Sequence, residues 1–101
     1  MVYIEKADPA AFLATARELG IATIILAWQE EYGQQEDPSA VRYERLARIT
    51  LLGYERGTGR ILRCTLPGGA EQRAQVRADA TAAGLAVEER CRNIIGFAGD
   101  G

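Results

Sequence analysis

Ile49-Thr50-Leu51-Leu52-Gly53-Tyr54-Glu55-Arg56-Gly57-Thr58-Gly59-Arg60-Ile61-Leu62-Arg63-Cys64-Thr65-Leu66 is the stretch that decides the fold. Two runs rich in β-branched and aliphatic residues flank Arg56-Gly57-Thr58-Gly59. The glycines there allow the positive φ that tight turns need, so the stretch reads as a β-hairpin. Pairing Glu55 with Arg60 sets the register, with Leu51 opposite Cys64 and Ile49 opposite Leu66. Side chains alternate across a strand. One face therefore collects Ile49, Leu51, Leu62, Cys64 and Leu66, a core face. The other collects Thr50, Leu52, Tyr54, Ile61, Arg63 and Thr65, mixed enough to call for a partner or a covering helix.

Outward from the hairpin, the second strand is expected over about Arg42–Glu55 and the third over Arg60–Leu66. Arg42-Tyr43-Glu44-Arg45-Leu46-Ala47-Arg48 also fits a helix, with Glu44 and Arg48 in i,i+4 register, and the strand would then begin at Ile49. Upstream, Ile21–Trp28 is apolar in both phases, which describes a central strand covered on both faces. Before it, Asp8 followed by Pro9 is an N-cap with proline at the first helical position. Phe12, Ala16 and Leu19 then recur on one helical face, widened by Leu13, and Gly20 is a natural terminator, so a helix is expected over 9–19. Val2–Lys6 alternates as a short strand, and Gly33–Ser39 is loop by composition.

Downstream, Pro67-Gly68-Gly69 ends the hairpin and Glu71–Ala83 reads as a second helix. Its buried stripe of Val76, Ala80 and Ala83 is thin, because alanine buries little area. Leu85–Asn93 reads as a last strand and 96–101 as a flexible tail. The order is (β)-α-β-β-β-α-β. This is a single α+β domain over 1–95, a mixed sheet with a central antiparallel meander and two helices packed on it.

The chain has 101 residues, 48% apolar and 26% charged, with no internal repeat. Its longest apolar run falls well short of the roughly 20 residues that span a bilayer. The first residues lack the basic and then apolar layout of a leader, so a soluble cytoplasmic protein without membrane association is expected.

The composition restricts the chemistry. There is no histidine, which removes every histidine-based triad, relay and metal site. Ser39 is the sole serine and has no base in view. Neither Glu30 with Glu31 nor Glu88 with Glu89 converges on one substrate, because adjacent strand residues face opposite ways. Cys64 and Cys91 match no zinc spacing and read as small buried hydrophobes, with a redox pair requiring their strands to be neighbours. From residue 9 onward the element order also matches the core of the PD-(D/E)xK nucleases. That active site needs an acid and a lysine two apart on the third strand, where this chain has Arg-Ile-Leu-Arg-Cys-Thr-Leu. No resemblance to a family follows, and no catalytic residue, metal or cofactor is expected.

Charge is sorted along the chain. Residues 1–40 carry two basic against seven acidic side chains, a net −5, and residues 41–77 carry eight arginines against three glutamates, a net +5. The remainder contributes −2, giving the net charge of −2. Eleven of the twelve basic residues are arginine, which suits an alanine- and glycine-rich composition and also suits bidentate recognition of anions.

Two functions follow as expectations. The first is a small non-catalytic interaction or regulatory module that self-associates, as a homodimer or with a protein partner, so that the mixed hairpin face and the alanine helix find cover. The second is an accessory binder of RNA or single strands. It would use an arginine-rich hairpin, Arg42, Arg48, Arg56, Arg60 and Arg63, with Tyr54 and Tyr43 as stacking platforms. The acidic isoelectric point of about 5.1 argues against that second reading. A degenerate nuclease-like domain, keeping the order of elements without the chemistry, is the third.

Overall fold

The computed structural model describes residues 2–29 and 48–92. Within them the order is β1 (Tyr3–Lys6), α1 (Pro9–Glu18), β2 (Thr23–Gln29), β3 (Arg48–Tyr54), β4 (Ile61–Pro67), α2 (Ala70–Ala82) and β5 (Ala86–Arg92). The five strands form one sheet in the order β1-β4-β3-β2-β5. Strands β2, β3 and β4 make an antiparallel meander, while β1 joins β4 and β5 joins β2 in parallel. The chain is an α+β domain, as its sequence predicts.

The hairpin register is the expected one, with Leu51 opposite Cys64 and Ile49 opposite Leu66. Its turn is closed by Glu55 N–H donating to the Arg60 carbonyl at 2.9 Å and Gly59 N–H donating to the Glu55 carbonyl at 2.8 Å. The Asp8 cap also forms, its Oδ1 accepting from Ala11 N–H at 2.8 Å. Both helices stop at glycines in the left-handed region, Gly20 at φ +74° and Gly84 at φ +86°.

Chirality places the helices. The segments β1-α1-β2 and β4-α2-β5 each join parallel strands, and both step across the sheet in the same direction. Right-handed crossovers then put α1 and α2 on the same face. A single core confirms it. Phe12, Leu13 and Ala16 of α1 and Val76 and Ala80 of α2 share one cluster with Ile24, Leu26, Ile49, Leu51, Leu62 and Cys64 of the sheet. Gly53 lies on this face because a Cβ there would sit 3.2 Å from Ile21 Cδ1 and 3.7 Å from Phe12 Cζ.

Several boundaries differ from the sequence reading. The apolar run at Ile21 becomes strand only from Thr23, since Ile21 packs under α1 as part of the core. Strand β2 is interior, but it is not buried on both faces. Ile24 and Leu26 are fully buried beneath the helices, while Ile25 and Ala27 on the reverse are only half-buried. The expected strand start at Arg42, the competing helix over 42–48 up to Ala47, the loop at 33–39, and the tail at 96–101 lie outside the described residues. The cysteines do not meet. Cys64 on β4 and Cys91 on β5 are separated by β3 and β2, which at about 4.8 Å per strand is some 14 Å, and both are free. Burial pushes the Cys64 thiol up, as expected of a core residue. Cys91, in contrast to the expectation, is exposed, because its strand is an edge.

Candidate interaction surface

With both helices on one side, the described residues leave the reverse of the sheet open. Among the described residues no helix covers it. Its side chains follow from the register. Glu5, Arg63, Leu52, Ile25 and Glu88 form one row across all five strands. Above it stand Tyr3, Ile61 and Tyr54, and below it Thr65, Thr50, Ala27 and Arg90. The centre is apolar and half-buried, formed by Ile25, Leu52 and Ile61. Tyr54 is 59% exposed and Tyr3 44%.

Charged pairs close the two flanks. At the β1 side Arg63 Nε donates to Glu5 at 2.6 Å, and its guanidinium lies 4.0 Å from the Tyr3 ring centre. That hydrogen bond raises the Arg63 pKa above its ordinary value. At the β5 side Arg90 Nε donates to Glu88 at 2.9 Å. The helix-covered face has its own pair, Arg77 of α2 with Glu89 of β5. There the hydrogen bond from Arg77 holds the Glu89 carboxyl below the usual carboxylate range. Glu88 and Glu89 thus point to opposite faces, as alternation requires.

The hairpin arginines divide. Arg60 is bound to Glu55 at 2.7 Å through both Nε and Nη2, inside the turn. Thr58 donates its hydroxyl to the same carboxylate at 2.6 Å, and this bond, then Arg60, lowers the Glu55 pKa. Arg63 is held by Glu5. Arg48 and Tyr54 share the open face but stand at opposite ends of β3, about 20 Å apart at roughly 3.4 Å per residue. Arg56 sits in the exposed turn and lines, with Tyr54, Glu55 and Thr23, a shallow cleft of about 590 Å³ beside the end of α1. Arg42, and Tyr43 with it, lie outside the described residues. Of the nominated residues that are described, Arg60 and Arg63 are taken up by glutamates, and Arg48 stands at the far end of β3 from Tyr54 and Arg56.

Glu5 and Tyr3 are the surface residues that sequence reasoning missed. They meet Arg63 only because β1 pairs with β4 in parallel, a contact over 58 positions that no local pattern signals. On the covered side Arg73 of α2 stacks over the Trp28 ring at 4.4 Å, so it too serves packing. Among the described residues no group of three acidic or thiol side chains is placed to hold a metal ion. No helix among them is long and apolar enough to cross a membrane.

No protein-family model matches the chain, and a search of curated proteins returns no relative.

Proposed function

We propose that this chain is a small, non-catalytic interaction module of the cytoplasm that acts as a self-associating unit. The one-sided sheet carries the reading. An antiparallel meander commonly leaves one face to solvent and keeps that face polar, whereas here the face that no helix covers among the described residues carries Ile25, Leu52, Ile61 and the two tyrosines. A rim of neutralised pairs around an apolar centre is the layout of a protein-binding surface, with the aromatic residues as anchors. An anion site would present unpaired cations instead. Arg60, Arg63, Arg77 and Arg90 each face a glutamate, which leaves Arg48 and Arg56 as the nominated cations without an ion pair among the described residues.

Sedimentation of the full chain from low to high micromolar concentration tests the proposal. A concentration-dependent rise in mass is expected. A strict monomer throughout removes self-association. The nucleic-acid alternative is tested beside it by titration with single-stranded RNA and DNA at low salt. Binding that weakens steeply with salt, with a smaller slope for Arg56→Ala, would replace the interaction reading by that alternative.

A further inference from the structure

We propose that two copies of this chain join through the outer edge of β5, in antiparallel register with the two-fold axis at Glu89. The proposal rests on the reading of the chain as a self-associating module, but places the contact between copies at a strand edge and leaves the open sheet face to other partners.

Among the described residues strand β5 is one of the two sheet edges, seven residues long against four for β1. Ala86 N–H donates to the Ala22 carbonyl on the neighbouring segment. By the alternation of a ladder, Ala86, Glu88 and Arg90 bond inward to β2. The backbone groups of Val87, Glu89 and Cys91 then point off the sheet, ready to pair.

Charge selects the register. Antiparallel partners must face the same side of the continued sheet, so the two-fold falls on a residue. Centred on Glu88, the axis sets two glutamates against each other on the open face. Centred on Arg90, it sets two arginines together. Centred on Glu89, it places Glu88 opposite the partner's Arg90 and Arg90 opposite the partner's Glu88, twice an attractive pair. These are also the narrow, non-hydrogen-bonded positions, where side chains approach most closely. The outward groups of Val87, Glu89 and Cys91 become the hydrogen-bonded positions. The two Glu89 side chains meet at the axis on the helix-covered side, each already bound by its own Arg77.

The helix above agrees with the strand below. Arg77 reaches down to Glu89, so its side of α2 overhangs β5. Spacings of three, four and seven place Ala70, Ala74 and Thr81 on that same side, all exposed. A flank this small lets the partner's α2 come alongside. The product is a ten-stranded sheet whose two open faces merge into one surface, left free for other partners.

The test uses the full chain with Glu88→Arg and Arg90→Glu, each examined alone and then mixed in equal amounts. Each variant alone sets like charges across the axis and is expected to dissociate about tenfold more readily than the unaltered chain. The mixture restores opposite charges between chains and is expected to recover dimers. The Glu88–Arg90 pair within each chain stays broken in the mixture, so recovery reports contact between chains. Oxidation of Val87→Cys with copper–phenanthroline is the second measurement. That position faces the partner's Cys91 at about 5.5 Å, within disulfide reach, so a covalent dimer is expected. An unaltered chain that dimerises, variants that dimerise equally well, and no cross-link together overturn the β5 edge and leave the interaction reading standing. An unaltered chain that is monomeric overturns both.

Discussion

The two faces of the sheet are built from neighbouring residues of the same strands, and they differ in almost everything else. Leu51 is fully buried beneath the helices, and Leu52, the next residue, is half-buried on the open side. The covered face holds mostly aliphatic side chains, with the Cys64 thiol and a glycine where α1 presses closest, and keeps Trp28, Cys91 and the Arg77–Glu89 pair toward its β5 side. The open face mixes the same kinds of aliphatic side chain with threonine, tyrosine and paired charges. The difference teaches that apolar content alone does not make a core. Cover does, and it comes from the handedness of two crossovers that both carry their helices to one side.

Leu51→Ala against Leu52→Ala is the strongest way to break this comparison. The first removes a fully buried side chain and leaves a cavity, so it is expected to cost about 2–5 kcal/mol in chemical denaturation. The second, in the monomer, is expected to cost less than about 1 kcal/mol. Equal losses would mean that the open face is packed as tightly as the covered one.

Gly53→Val probes the closest approach of helix to sheet. A branched side chain would press on Ile21 and Phe12, and overpacking of this kind is expected to cost about 1–3 kcal/mol. Thermal unfolding would show it. Thr50→Val on the open side should shift the midpoint little, since no helix among the described residues lies over it, and a comparable loss there would again erase the distinction.

The charged pairs give the smaller effects. Glu5→Gln removes the partner of Arg63 on the open face, where both side chains are more than a third exposed. Exposed pairs are worth about 0–1 kcal/mol, so the change is expected to lie within that range. For Glu89 on the covered face the effect appears with pH. Its folded pKa lies below the ordinary 4.5, so the ionised form is the one the fold favours. Its contribution is complete above that value and is lost as the pH falls through the lowered one. Arg77→Ala is expected to flatten the acid limb of the stability profile. An unchanged limb would show that Glu89 gains nothing from Arg77.

Local chemistry and periodicity were legible in the sequence. The Asp8-Pro9 start, the glycine stops, the hairpin register at Glu55 and Arg60, and the thin stripe of Val76 and Ala80 all depend on residues close together in the chain, where backbone sterics and alternation act directly. The core face of the hairpin followed from the same alternation. Only the tertiary structure decided that Glu5 would meet Arg63, that Arg77 would meet Glu89, and that Cys64 and Cys91 would stay three strands apart. Those contacts depend on strand order, which parallel crossovers set over dozens of residues without leaving a local mark. The apolar run Ile21–Trp28 shows the limit most clearly. Its composition announces an interior strand, but which of its faces lies under helices depends on where α1 and α2 cross, and that is a property of the assembled sheet.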